Sequence, residues 1–270
     1  MPKFRLFRGY YFLLLFLAVL LLAFALRHEN RHLYGAVSTV KKIVTPLTID
    51  SSAITTSPQG GYAVRKRAIN QMKGHWHGSY QRAFNSDQKK LVLDSARNYF
   101  TQALVNQLIP HWYGTVWSFE GHTETPQQGE IACGYFVSTL LNHAGLQLNR
   151  YKMAQQNPVN EVRTLHQQEN SIFFEAETAH GFRDSVKRNL KEGLYIFGLT
   201  NHVGFLLHHQ SEVYLIHSNY LFPFRKVIVE LASQSPLLFH PKECILGDIT
   251  HNDKLMRQWL SGKPVAIVEK

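Results

Sequence analysis

The hydrophobic period of this chain changes once, at Lys191-Glu-Gly193, and that change limits the fold more than any other feature. Downstream, Leu194-Tyr-Ile-Phe197, His202-Val-Gly-Phe-Leu-Leu207 and Val213-Tyr-Leu-Ile-His217 are short apolar runs separated by turn signals, the pattern of neighbouring strands. Further strands are expected near Arg225–Leu231 and Cys244–Ile249. Upstream the spacing is helical. Leu93, Ala96, Phe100, Leu104 and Leu108 recur at helical intervals after the N-cap candidate Ser86, which predicts a helix over 87–108 ended by Pro110. The segment 150–192 also reads as mostly helical. Helices followed by an antiparallel meander give an α+β domain.

Between these halves lies Gly-Glu-Ile-Ala-Cys133-Gly-Tyr-Phe-Val-Ser-Thr-Leu-Leu. A short apolar approach turns directly into an amphipathic helix whose buried face is Val137, Leu140, Leu141 and Ala144, with Gly145 as the C′ residue. A cysteine in the first turn of a helix meets unpaired backbone N–H groups and the positive end of the helix dipole. Both favour thiolate over thiol, so a lowered thiol pKa and a nucleophilic role are expected. The second cysteine, Cys244, sits in an apolar strand and reads as a buried structural thiol; a Cys133–Cys244 disulfide is the alternative for an exported chain.

Residues 1–9 carry Lys3, Arg5 and Arg8 without an acid, and Tyr10–Leu26 is an unbroken apolar run of 17 residues ending at Arg27. Residues 1–27 therefore read as a signal anchor, a transmembrane helix with the positive end inside. Ala23-Phe24-Ala25 offers a small-x-small cleavage pattern, so a removed signal peptide is the alternative. Residues 28–61 read as a juxtamembrane segment and a Ser/Thr/Pro/Gly-rich linker, and 62–270 as the folded domain with a helical extension at its start.

The chain is basic, with a formal net charge of +10, yet no run of Lys and Arg interleaved with aromatics resembles a nucleic-acid groove, and no nucleic-acid partner is expected. It contains 15 histidines, including His75-x-His77 and His208-His209, but no His-Glu-x-x-His or carboxylate-bearing cluster. No metal or other cofactor is expected. Zinc hydrolysis stays open as an alternative that EDTA and iodoacetamide would separate.

A cysteine hydrolase needs a base beside the thiol and a third polar group to orient that base. His202 opens one predicted strand and His217 closes the next, so a hairpin between them brings both imidazoles to the same end of the sheet. Cys133 is then the nucleophile, His202 the proton shuttle and His217 the orienting group. Asn219, on the same strand face as His217, is the alternative third residue. Trp112 and Tyr113 lie in the aromatic loop ahead of the nucleophile and are candidate substrate or oxyanion contacts.

The order Cys133, His202, His217, with Cys-Gly-Tyr-Phe-Val-Ser opening a helix, His-Val-Gly-Phe-Leu-Leu on a strand and Tyr-Leu-Ile-His-Ser after it, resembles the NlpC/P60 family of papain-like cysteine peptidases. Ile109-Pro-His-Trp-Tyr-Gly-Thr-Val-Trp117 and Leu190-Lys-Glu-Gly-Leu-Tyr-Ile-Phe197 are similar to its segments before the nucleophile and before the histidine. The resemblance spans about residues 108–220. It implies a papain-like domain at the bacterial cell envelope, held in the inner membrane or released to the periplasm, that hydrolyses peptide or amide bonds of peptidoglycan stems without metal. The family usually has Asp-Cys-Ser-Gly-Phe where this chain has Ala132-Cys133-Gly134-Tyr135-Phe136. An amidase or acyltransferase of the same superfamily acting on another substrate, or a binding protein without turnover, would carry the same residues.

Overall fold

In the computed structural model, residues 47–58, 61–166, 172–239 and 242–269 are described. The expected membrane helix at Tyr10–Leu26 lies outside them, and no helix among the described residues is long and apolar enough to cross a membrane. Residues 45–270 form one unit, in which the described residues build an antiparallel sheet and eight α-helices.

The helices come first. α1 (Ser51–Thr55) is capped by the Asp50 carboxylate, which accepts from the Ser52 N–H. α2 (Tyr62–Arg82) and α3 (Ser86–Gln102) follow, the latter capped by Asn85 through the Gln88 N–H. The helix does not end cleanly at Pro110. It widens to a π-helical turn over Ala103–Leu108 and then tightens to a 3-10 turn over Ile109–Trp112, where Pro110 sits in the first turn and its missing N–H costs nothing. α4 (Cys133–His143), α5 (Arg150–Ala154) and α6 (Pro158–His166) complete the first half.

The segment 150–192, expected to be mostly helical, also contains an edge strand, β1 (Ile172–Ala176), before α7 (Ala179–Asn189). A meander then runs β2 (Gly193–Leu199), β3 (His202–His209), β4 (Glu212–Ser218) and β5 (Val227–Leu231), after which β6 (Lys242–Asp248) crosses back to pair between β1 and β2, with α8 (Asp253–Ser261) last. The strand order is β1-β6-β2-β3-β4-β5 and every pairing is antiparallel.

Both faces of the sheet are covered, which is why β2 and β3 read as continuous apolar runs rather than alternating ones. On one face Ile196, Val203, Phe205, Leu207 and Ile216 pack with α4 residues Phe136, Val137, Leu140 and Leu141. Each such buried side chain contributes about 1.5–3 kcal/mol relative to exposure. The other face packs Tyr195, Phe197, Leu206 and Leu215 with Phe182 and Val186 of α7. α4 ends as its sequence predicts: Gly145 takes a left-handed φ of 95°, and the Trp259 indole donates to the Ala144 carbonyl at 2.8 Å.

The stretch expected to be a linker is partly docked. Ile49 and Ile54 are buried in the main core, and Asn106 bonds both the Asp50 N–H and the Thr48 carbonyl. Two apolar side chains within a Ser/Thr-rich segment are enough to hold it.

Candidate active site

Cys133 is the first residue of α4, and Ala132 before it is extended. The approach to it is pinned from three sides. Ile131 N–H donates to the Val116 carbonyl, Ala132 N–H donates to the Gly121 carbonyl, and Ser218 Oγ donates to the Ile131 carbonyl at 2.7 Å. Gly121 allows this closeness, since a Cβ there would lie 2.5 Å from the Ile131 nitrogen. Ser218 follows His217, so one end of β4 fixes both the nucleophile's approach and the distal histidine.

The backbone N–H groups of Val203, Gly134 and Cys133 favour the Cys133 thiolate. Val203 is the second residue of β3, so its influence sets the thiol beside the start of that strand, next to His202. The helix start nevertheless does not lower the thiol pKa as the sequence suggests. Burial of the sulfur, reinforced by the charge of Glu161, pushes it up to about 11, and the three N–H groups only partly offset this. Cys133 and Cys244 are both free thiols, and Cys244 is buried within its strand.

The histidines form a buried relay. His202 Nε2 and His217 Nδ1 are 2.8 Å apart, and His217 Nε2 is 3.1 Å from Glu230 Oε1. Ser235 Oγ donates to the same Glu230 oxygen. A carboxylate only accepts, so His217 Nε2 carries a proton and donates it to Glu230. His217 Nδ1 then accepts from His202 Nε2–H, which places the His202 lone pair on Nδ1. The tautomers follow from the network. His202, His217 and Ser235 are essentially inaccessible to solvent.

Glycine makes the relay fit. β3 and β4 pair Phe205 with Ile216, so His217 lies beside Gly204 on the next rung. A Cβ at Gly204 would stand 2.7 Å from both the His217 Cβ and the Phe197 ring. Phe197 lies beneath both imidazoles, its ring centre 6.0 Å from that of His202 and 6.3 Å from that of His217, and Tyr220 lies 5.2 Å from His202.

Asn219, the alternative third residue, is buried, but its carboxamide oxygen accepts from the Leu221 N–H and shapes the β4–β5 connection. The group that bonds His202 is His217. The Trp112 ring is fully buried against Phe136, and its indole N–H donates to Tyr62 Oη at 2.9 Å. The Tyr113 hydroxyl is buried without a hydrogen-bond partner, and desolvation raises its pKa.

Three residues at the site carry no advance signal in the sequence. Glu230 and Ser235 extend the relay, and Glu161 of α6 is buried beside the nucleophile. A Cβ at Gly134 would lie 2.8 Å from Glu161 Oε1 and 3.0 Å from the Ala154 carbonyl, so the glycine after the cysteine is set by close approach of α5 and α6. Desolvation holds the Glu161 carboxyl well above the usual carboxylate range. No group of three or more potential metal ligands occurs among the described residues.

No protein-family model, curated protein or solved structure matches this chain.

Proposed function

We propose that the protein is an extracytoplasmic cysteine hydrolase of amide bonds, tethered to the inner membrane by Tyr10–Leu26, with peptidoglycan stem peptides as the substrate class implied by its resemblance to NlpC/P60 enzymes. The observation that carries this reading is the Glu230–His217–His202 relay at the β3 terminus whose next N–H favours the Cys133 thiolate. Burying a carboxylate and two imidazoles costs stability unless each is satisfied, and a chain that needs only a core would place apolar side chains there.

In this mechanism the Cys133 sulfur attacks the scissile carbonyl carbon while its proton passes to His202 Nδ1. His217 and Glu230 stabilise the positive charge that develops on the imidazole. The Cys133 backbone N–H serves the oxyanion, a contribution worth about 10²–10³ in rate for one donor in other enzymes. The tetrahedral intermediate expels the amine, which takes the proton from His202. Water then attacks the thioester with His202 as base, releasing the acid and restoring the thiol.

The test is hydrolysis of purified muropeptides and of simple amides by the wild type and by Cys133→Ala. Turnover should vanish in the variant and persist in EDTA. A variant that cleaves as fast as wild type refutes the mechanism.

A further inference from the structure

The C-terminal end of α4 borders a cationic cleft that the hydrolase chemistry does not use. Lys66, Arg67, Asn70 and Gln71 of α2 line it with Asn142 and His143 of α4, around a volume of about 580 Å³. α2 carries Arg65, Lys66, Arg67, Lys73 and Arg82 without an acid. Among the described residues neither Lys66 nor Arg67 pairs with a carboxylate. His143 is only 5% exposed, and a hydrogen-bonded chain fixes its proton. The Trp112 indole can only donate, so Tyr62 Oη accepts from it at 2.9 Å and gives its own single proton to His143 Nδ1 at 2.8 Å. The neutral imidazole therefore carries its hydrogen on Nε2. Glu124 Oε2 stands 4.0 Å from Nε2, beyond hydrogen-bond reach, and Arg150 holds the other Glu124 oxygen at 2.7 Å. A buried donor is thus left open at the cleft wall.

We propose that this cleft binds the phosphate monoester group of a hydroxylated small molecule. Three separate donors, the Lys66 ammonium, the Arg67 guanidinium and the His143 Nε2–H, match the three terminal oxygens of such a group, and two cations offset its charge of about −2. A carboxylate has one oxygen and one charge fewer. Among the described residues Glu124 is the one acid within 4.0 Å of the His143 ring nitrogens, against Lys66, Arg67 and Arg150. The carbonyl end of α4 would repel an anion, but α2 already neutralises it: Lys73 Nζ donates to the Gly145 carbonyl at 2.6 Å and Asn70 Nδ2 to the His143 carbonyl at 3.4 Å. The cleft is larger than a bare ion needs. The rest of its lining, Asn70, Gln71 and Asn142, is uncharged and hydrogen-bonding, which suits hydroxyl groups rather than an apolar tail. Cys133 lies at the opposite end of α4, so the proposal is independent of the hydrolase chemistry.

The test is titration calorimetry of the full chain with glucose 6-phosphate, inorganic phosphate, glucose and acetate, in about 0.1 M salt, where the Debye length is about 10 Å. Saturable binding of the ester at one site is expected, with weaker binding of inorganic phosphate and none of glucose or acetate. Lys66→Ala and Arg67→Ala should each weaken the ester about tenfold or more, the loss of one charge-assisted hydrogen bond. Arg82→Ala removes the same charge from the same helix about 22 Å away and should leave the affinity unchanged. The His143 Nε2–H resonance, identified by its loss in His143→Gln, should shift as the ester saturates. Absence of binding, an Arg82→Ala effect as large as that of Lys66→Ala, acetate bound as tightly as the ester, or an unmoved His143 resonance overturns the site. Inorganic phosphate bound as tightly as the ester overturns the assignment of the hydroxylated part.

Discussion

Gly204→Ala is the substitution that most directly probes why the relay holds together. The added Cβ would meet the His217 Cβ and the Phe197 ring, both at 2.7 Å, and neither neighbour can swing into solvent because both are buried. His217 is further held by bonds of 2.8 and 3.1 Å to His202 and Glu230. Relief to ordinary contact requires a displacement of roughly 0.7–1 Å, and overpacking of this kind costs about 1–3 kcal/mol. Breaking the His202–His217 bond adds about 1 kcal/mol. A loss of about 2–4 kcal/mol is therefore expected in urea unfolding, a large part of a typical domain's stability. Amide hydrolysis should fall about 100-fold in kcat, the scale set by a 1 Å misplacement. Phe197→Leu removes the ring atoms on one side of the clash. In the double variant the two costs should sum to more than the measured loss. A Gly204→Ala protein within about 0.5 kcal/mol of wild type and equally active would refute the steric argument.

Three further outcomes follow from the buried titratable groups. Iodoacetamide alkylation of Cys133 followed against pH should show a midpoint near 11, whereas a midpoint below the ordinary thiol value of about 8.5 would mean that the helix terminus outweighs burial. Glu161 has its carboxyl pKa raised by folding, so it favours the native state below the unfolded pKa and that contribution is lost as pH rises through the folded pKa. Glu161→Gln should therefore stabilise the protein at pH 7, with the gain vanishing near pH 4, and destabilisation at pH 7 would contradict this. His143 has the opposite sign. Burial, helped by Lys66 and Arg150, lowers its pKa to about 4, while Tyr62 donates to its Nδ1. The native state is thus favoured above the ordinary histidine pKa of about 6.5, and about 3 kcal/mol is lost as pH falls through 4. Chemical denaturation of His143→Gln should show a flatter pH dependence than wild type over that range.

The strands that position His202 and His217 were legible because β2, β3 and β4 pair with their sequence neighbours, and short apolar runs bounded by turn signals specify such hairpins. β1 was not legible. It pairs only with β6, some seventy residues on, and in isolation Phe173 and Phe174 fit a helix as well as a strand. Glu230 was hidden for a related reason: on an edge strand between Val229 and Leu231 it reads as a solvent-facing residue. Only the β4–β5 register, which pairs His217 with Ile228 and Leu215 with Glu230, carries its carboxylate to His217. Trp112 is placed by contacts that are equally remote in sequence. An aromatic in a loop before a nucleophile suggests a pocket wall, but its partners Tyr62 and Phe136 come from α2 and α4, and their packing draws it inside.

In the proposed hydrolase, the thiol shift changes what the relay has to do. A cysteine whose pKa lies near 7 at a helix terminus would rest as a thiolate, and its histidine partner would mainly preserve an ion pair. Cys133 is instead held as a neutral thiol by burial, which pushes its pKa up to about 11. Attack on a carbonyl must then be coupled to proton removal, and the base has to be available in its neutral tautomer at that moment. The buried chain from Glu230 through His217 fixes that tautomer and stabilises the imidazolium as it forms. A lone His202 would do neither. The feature that weakens Cys133 as a free nucleophile is thus the one that makes Glu230, a residue outside the recognised Cys-His-His set, matter for the chemistry.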